Sequence, residues 1–153
     1  MTNFNKNVLA EEYVQMDDMP WDKFPDTLCD GQIYWRLLNV SPGTSAWTAV
    51  FDCRAGSSFA SHFHVGPGEY FLYKGKMEVR GGVQNGGDTA IAPGYGYESS
   101  GALHEQTFFP EDSAFYMTFL GPLNFLDADK NSVALVGWQE AQQVWTAYLN
   151  TKK

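Results

Sequence analysis

The stretch that decides the fold reads Gly56-Ser-Ser-Phe-Ala-Ser-His62-Phe-His64-Val-Gly-Pro-Gly-Glu69. Alternate side chains of a β-strand point to the same face, so His62 and His64 project to one side and Phe63 to the other. Two imidazoles on one face can hold the same cation, and His104 from a later strand would add a third. These are the only three histidines of the chain. The pattern predicts a metal site with open coordination positions, which a catalytic metal requires.

The composition favours an all-β domain. The chain has 153 residues, a length that suits one domain with a substantial core. Short apolar runs, many of them aromatic, are separated by turns that draw on the 15 glycines, which is typical of a barrel or sandwich. We expect a single domain over residues 1–153, with a barrel core at about 30–137.

The charge and the termini exclude several classes of function. A net charge of −8 argues against nucleic acid and against anionic membrane surfaces as partners. No apolar stretch has the length that a bilayer span needs, and the first residues lack an apolar signal core, so we expect a cytoplasmic protein. Cys29 and Cys53 form no C-x-x-C pair and are expected to be reduced thiols.

Apolar runs between turn residues predict most of the strands. The expected strands are Gln32–Asn39, Ala46–Cys53, Ser57–His64, Glu69–Tyr73, Lys76–Arg80, Thr89–Ala92, Leu103–Phe109, Ala114–Leu120 and Val133–Gly137. A helical turn is expected at Val8–Val14, and an irregular loop at Pro93–Gly101 because three of its residues are glycines. The C-terminal residues change to a helical period, which predicts an amphipathic helix at about 138–150. Its apolar stripe, expected to pack on the barrel or on a second subunit, consists of Trp138, Ala141, Trp145, Tyr148 and Leu149.

The quoted stretch resembles the first motif of the cupin superfamily, G-x5-H-x-H-x3/4-E-x6-G. The matching residues are Gly56, His62, His64 and Glu69. The second cupin motif, G-x5-P-x-G-x2-H-x3-N, is met only at Gly87 and Pro93; ten residues rather than four then precede His104, and Phe108 replaces the asparagine. The resemblance implies a cupin fold, that is, a double-stranded β-helix or jelly-roll barrel. It also implies association into a homodimer or homotetramer.

The spacing after the second histidine bears on the ligand set. The cupin glutamate lies seven positions before the turn glycine and points into the barrel, whereas Glu69 lies six positions before Gly75. One residue fewer reverses the strand phase. We therefore expect Gly68, Tyr70 and Leu72 to face inward and Glu69 outward, which predicts three histidine ligands without a carboxylate. A β-bulge would restore the phase and return Glu69 to the site.

Six segments carry a closer resemblance, to the family of acetylacetone-cleaving dioxygenases (diketone dioxygenases). They are Ala55–His62, Gly66–Leu72, Met77–Gly82, Glu98–His104, Thr107–Pro110 and Phe115–Phe125. The similarity covers most of the chain and is weakest at the two ends. It implies Fe(II) bound by His62, His64 and His104, although imidazole sites also accept Zn, Ni or Co.

The same resemblance implies further residues of the site. Supporting roles fall to Tyr70, Arg80, Glu98 and Thr107, and an apolar wall to Phe59, Phe115 and Phe119. Aromatic side chains on a barrel strand are more commonly plain core. Arg80 and Glu98 could likewise form an ordinary surface ion pair of little energetic value. We expect both to face the cavity, where an isolated charge would be costly and they would have to pair or bond.

The implied reaction cleaves a carbon–carbon bond of a β-diketone with O2, and from acetylacetone it yields acetate and methylglyoxal. Three neutral imidazoles leave the metal its full charge, which favours binding of an enolate. Other readings stay open, since a fold does not determine a function. They are cleavage of another enolisable or aromatic ketone, a non-catalytic zinc-binding regulator, and a metal-dependent isomerase or small-molecule binding protein.

Overall fold

A computed structural model describes residues 13–153 of the chain. In chain order the strands are β1 Asp22–Lys23, β2 Cys29–Asp30, β3 Ile33–Ser41, β4 Ala46–Cys53, β5 Ser58–Phe59, β6 His62–His64, β7 Gly68–Lys74, β8 Lys76–Val79, β9 Asp88–Ile91, β10 Gly94–Glu98, β11 Leu103–His104, β12 Thr107–Phe108, β13 Ser113–Phe119, β14 Leu123–Leu126 and β15 Ser132–Val136. The helix α1 spans Trp138–Asn150, and single 3-10 turns lie at Met16–Asp18 and Val83–Asn85.

The strands form three antiparallel sheets. The largest has the order β1-β3-β4-β13-β7-β10, the second β2-β5-β12-β8-β9, and the third β11-β6-β14-β15. Some neighbours, such as β3 and β4, follow one another in the chain, whereas others, such as β4 and β13, are far apart in sequence. The prediction of an all-β protein with one C-terminal helix is confirmed.

Alternation along the strands creates the core. In β13, Phe115, Met117 and Phe119 are buried on one face, while Tyr116 points outward. The central strands β3 and β4 add the largest buried side chains, including Trp35 and Trp47. Each fully buried side chain of this kind contributes about 1.5–3 kcal/mol to folding. The buried inner faces of the sheets therefore stabilise the fold and form an interior that is rich in aromatic side chains.

The prediction of an irregular loop at Pro93–Gly101 is wrong, because Gly94–Glu98 form strand β10. β10 pairs antiparallel with β7, and Tyr95 and Tyr97 point outward while Gly94, Gly96 and Glu98 point inward. Sequence reasoning treats glycines as turn residues. Here, Gly94 and Gly96 occupy inner positions of a strand, where an added side chain would collide with neighbouring atoms.

Other boundaries differ less. Two of the long predicted strands are each divided by a bend into two short ones: Ser57–His64 and Leu103–Phe109. The strands β1, β2 and β14 were not predicted. The helical turn expected at Val8–Val14 lies outside the described residues, apart from Tyr13 and Val14, which are not helical.

Helix α1 begins and ends where the sequence predicts, and its stripe packs on the barrel. Ala141, Trp145 and Leu149 are buried, and the Trp145 ring meets Trp35 of β3 edge-on, with 5.6 Å between the ring centroids. The Tyr148 hydroxyl donates a hydrogen bond to the backbone carbonyl of Trp21, which precedes β1. Within residues 13–153, no helix has both the length and the apolar character for crossing a membrane.

Candidate active site

Strand pairing brings the three histidines together. His62 and His64 lie on β6 with Phe63 between them, and β11 runs antiparallel beside β6 so that His104 stands opposite His62. All three are buried, and one ring nitrogen of each lies within 4.8 Å of the others. The adjacency of β6 and β11 thus supplies the third imidazole, which is separated from the first two by about forty residues of chain.

The protonation of the histidines suits metal binding. Nδ1 of His62 donates a hydrogen bond to the carbonyl of Ala60 at 2.7 Å, which leaves Nε2 with a free lone pair. Burial lowers the pKa of His62 to about 3 and that of His64 to about 4. Both rings are therefore neutral at pH 7, the form that binds a metal ion.

One ring nitrogen of the cluster has no protein partner. Nδ1 of His64 is buried and makes no hydrogen bond to any residue within 13–153. A buried polar atom without a partner costs about 1–3 kcal/mol, which a bound group or water would offset. Three buried imidazoles with this unsatisfied nitrogen among them are a donor set that fits a divalent transition metal.

Glu69 is not part of this cluster. Gly68, Tyr70 and Leu72 of β7 are buried, while Glu69 is exposed, so the strand phase predicted from the spacing is confirmed. The Glu69 carboxylate accepts a hydrogen bond from the hydroxyl of Tyr95 at 2.7 Å on the outer face of the sheet. The β7–β10 pairing is regular, and the register shift of β7 against β13 lies between Leu72 and Lys74, so no bulge returns Glu69 to the interior.

Glu98 is the carboxylate that contacts the histidine cluster. It ends β10 on the inner face, opposite Gly68, and its Oε2 lies 2.8 Å from Nε2 of His104. Burial alone would raise the pKa of this carboxyl, but the hydrogen bond from His104, together with smaller electrostatic contributions, outweighs burial and lowers it. Glu98 is therefore ionised at neutral pH and accepts the His104 N–H.

The three histidines and Glu98 open onto a cavity. Its empty volume, counted with the space that opens to solvent, is about 470 Å³. The lining residues are Phe24, Trp47, Phe51, Phe59, His62, His64, Tyr70, Met77, Glu98, His104, Thr107, Phe115, Met117, Phe119 and Leu123. Glu98 is the one carboxylate among these described residues. Apart from the three histidines, Tyr70 and Thr107, the other lining residues are apolar.

Two hydroxyl groups line the cavity as expected. Burial and the nearby Glu98 charge raise the pKa of Tyr70 to about 12, so its phenol stays protonated and can donate a hydrogen bond. The Thr107 hydroxyl is buried and has no hydrogen-bond partner within residues 13–153. Both groups are thus available to a molecule bound in the cavity.

Arg80 does not lie where it was expected. Its guanidinium forms an ion pair with Asp88 at 2.7 Å, and the side chain is 40% exposed, so the expectation that it faces the cavity is wrong. The backbone of Arg80 has a φ of 52°, in the left-handed region, and Gly81 follows with a φ of 82°. This sharp turn at the end of β8 directs the side chain to the rim, where it lies 3.5 Å from the carbonyl of Leu103.

Sequence reasoning missed several residues of the cavity wall. Met117 shares the inner face of β13 with Phe115 and Phe119, so the alternation of that strand would have found it. Met77 lies on the inner face of β8 in the same way. Phe24 comes from the segment after β1 and carries no signal of its own, because only tertiary packing brings it to the cavity.

Comparison with known proteins gives consistent matches. The ChrR cupin-like domain family matches residues 9–124. The acetylacetone-cleaving enzyme of Acinetobacter johnsonii is 63% identical over 146 residues, which cover 95% of each chain. A crystal structure of an acetylacetone dioxygenase from that organism superposes with a TM-score of 0.87 at 64% identity, over 94% of this chain and 96% of that one.

A second crystal structure agrees with the first. A candidate acetylacetone dioxygenase from Methylibium petroleiphilum PM1 superposes with a TM-score of 0.86 at 61% identity, over 92% of this chain and 97% of that one. With this identity over nearly the whole length, the chain shares its barrel topology with both crystal structures. The chain therefore belongs to the ChrR cupin-like family and, within it, to the family of acetylacetone-cleaving cupin enzymes.

Proposed function

We propose that this chain is an Fe(II)-dependent dioxygenase that cleaves a carbon–carbon bond of a β-diketone such as acetylacetone. One observation carries the proposal: a buried cluster of three histidines opens onto an aromatic cavity with a single carboxylate. The high identity to an acetylacetone-cleaving enzyme supports the same reaction. The substrates would be a small diketone and O2, and the products a carboxylate and an α-dicarbonyl.

His62, His64 and His104 would hold the metal. When bound, Fe(II) supplies Lewis acidity toward a diketone enolate and the redox capacity that O2 chemistry requires, and neutral ligands preserve its positive charge. Zn(II) in the same ligands offers only the first of these properties, because it has no redox chemistry. A zinc-loaded protein is therefore the natural control for the iron-loaded one.

Glu98 is the group that would move a proton. Its carboxylate is ionised at neutral pH and faces the cavity, so it can accept the acidic proton between the two carbonyls of a diketone. Acetylacetone and one O2 together have the composition of acetic acid and methylglyoxal. No net proton is consumed, so the proton that Glu98 accepts must leave with the products.

The remaining cavity residues would orient the diketone and exclude water. The Tyr70 and Thr107 hydroxyls can donate hydrogen bonds to substrate oxygens, since neither is engaged with a described side chain. Phe59, Phe115 and Phe119 leave only apolar contacts for the substituents of the diketone, which favours small alkyl groups. Arg80 would act from the rim, where its charge favours the ionised form of Glu98.

We further propose that the chain works in the cytoplasm as a homodimer or homotetramer. An aromatic row crosses the outer face of the largest sheet, where Tyr95, Phe71 and Tyr116 are cross-strand neighbours and all are exposed. Exposed apolar surface of this kind often marks a subunit interface. Light scattering after size-exclusion chromatography would give the mass, and a monomer would contradict this part of the proposal.

The decisive test is oxygen uptake by anaerobically Fe(II)-loaded protein after addition of acetylacetone. We expect one O2 consumed per diketone lost, formation of acetate and methylglyoxal, and no uptake by the zinc-loaded protein. Silence from fully loaded iron protein with acetylacetone and with aromatic diketones would contradict the proposal. It would instead favour a non-catalytic metal-binding role.

A further inference from the structure

Gly96 lies directly opposite Tyr70 in the pairing of β10 with β7. A Cβ atom built on Gly96 would lie 2.2 Å from Cε1 and Cζ of the Tyr70 ring and 2.5 Å from its hydroxyl oxygen. Such separations are far inside van der Waals contact. The Tyr70 ring therefore lies over Gly96, in the space that the side chain of any other residue at position 96 would fill.

The backbone does not itself require glycine here. Gly96 lies within a regular strand, and its φ is not in the left-handed region where glycine is favoured, unlike that of Gly81 or Gly101. Glycine is otherwise a poor strand residue because it loses more conformational freedom on folding than alanine. Only the close approach of the Tyr70 ring accounts for a glycine at this position.

The opposite side of the ring leaves little freedom. The Phe115 ring packs edge-on against Tyr70, with 6.3 Å between the centroids. Phe115 is itself stacked on Phe51, with centroids 4.8 Å apart. A ring displaced from Gly96 would thus move toward the cavity and the stacked phenylalanines rather than into open space.

We propose that Gly96 is a positioning residue for Tyr70: its missing side chain forms the slot that holds the phenol at the cavity wall. The inference rests on the proposed function, because it assigns Tyr70 a contact with the bound diketone. Gly96 itself touches no substrate. It determines the depth at which the phenol enters the cavity and therefore the room left for the substituent of the diketone nearest to it.

The test is a double-mutant cycle between Gly96→Ala and Tyr70→Leu, measured in the Fe(II)-loaded protein. Leucine lacks the three atoms that the new methyl group would meet. We expect Gly96→Ala alone to lower kcat/KM for acetylacetone by about 100-fold, as a misplacement of roughly 1 Å can do. In the Tyr70→Leu background, the same substitution should change kcat/KM by less than about twofold. Gly43→Ala is the matched control, since a Cβ there meets nothing within 4 Å.

Thermal unfolding of the metal-free proteins provides a readout that does not depend on turnover. Gly96→Ala should lower Tm in the parent and in Tyr70→Phe, whose ring keeps Cε1 and Cζ, but not in Tyr70→Leu. An equal loss of Tm in all three backgrounds would overturn the inference, since Gly96 would then act through the backbone of β10. If the parent consumes no oxygen with any diketone, the proposed function fails while this cycle still decides the Gly96–Tyr70 relationship.

Discussion

Glu98 and His104 are joined by a hydrogen bond of 2.8 Å between Oε2 and Nε2, although they lie on different strands, β10 and β11. The bond connects the one carboxylate of the described cavity wall to a candidate metal ligand. A carboxylate that orients a ligating imidazole also makes it a stronger donor. The same residue is thus placed both to hold His104 and to accept a proton from a bound diketone.

Replacing Glu98 by glutamine should separate these two roles. Glutamine keeps the size and can still accept a hydrogen bond through its amide oxygen, but it cannot take a proton. We expect kcat to fall by about 10²–10⁴ while the iron content stays at one per chain. Steady-state oxygen uptake and metal analysis check this. A loss of iron in parallel with activity would instead assign Glu98 to ligand orientation alone.

The stability of the metal-free protein should depend on pH below neutrality. Burial lowers the pKa of His62 to about 3 and of His64 to about 4 from an ordinary value of 6.5. Below pH 6.5 the unfolded chain binds protons that the folded chain does not, so the free energy of unfolding falls as pH falls toward 4. The slope is at most about 1.4 kcal/mol per pH unit for each group. Urea titrations between pH 4 and 8 measure it, and the slope should decrease in His62→Gln.

Metal removal should destabilise the protein reversibly. The cluster of His62, His64 and His104 is complete in the folded state only, so a metal ion at 100 times its Kd adds about 2.7 kcal/mol to the free energy of unfolding. Chelation should lower Tm and abolish oxygen uptake, and Fe(II) should restore both. In His64→Ala we expect no metal-dependent rise in Tm. A full rise in that variant would place the metal elsewhere.

Phe119 should control both packing and substrate size. Its ring stacks on Trp47 with 3.9 Å between the centroids and lines the cavity. Phe119→Ala should cost about 3–5 kcal/mol in the free energy of unfolding and raise the relative kcat/KM for bulkier diketones. Phe119→Leu, which keeps most of the volume, is the control. Equal changes for small and bulky diketones in Phe119→Ala would show that this ring does not limit the substrate.

Arg80 tests how far a residue at the rim influences the site. Its exposed ion pair with Asp88 is worth at most about 1 kcal/mol. The free energy of unfolding of Arg80→Ala should therefore change little, and the variant should bind iron normally. Its charge favours ionised Glu98, so we expect a moderate loss of turnover. Arg80→Gly, which relieves the left-handed backbone at φ 52°, should be the more stable variant with the same kinetics. Unchanged turnover in both would remove Arg80 from the mechanism.

The sequence alone determined the features that depend on local geometry. Side chains alternate along a strand with a period of two, so the spacing of His62 and His64 placed both on one face. The spacing of Glu69 from Gly75, compared with the cupin motif, placed the glutamate on the outer face. Apolar periodicity located helix α1 for the same reason. His104 was the remaining histidine and hence the candidate for a third ligand, and the family resemblance added half of the other cavity-lining residues.

Only the tertiary structure decided which strands lie side by side and how much room separates them. Pairing with β7 makes residues 94–98 a strand. Folding also brings Glu98 into contact with His104, and Arg80 into contact with Asp88 at the rim. The sequence suggests that Gly96 is a turn residue, whereas in the structure its missing side chain leaves the space for the Tyr70 ring. Pairing, turn direction and close approach depend on contacts between distant segments, and no local pattern in the chain encodes them.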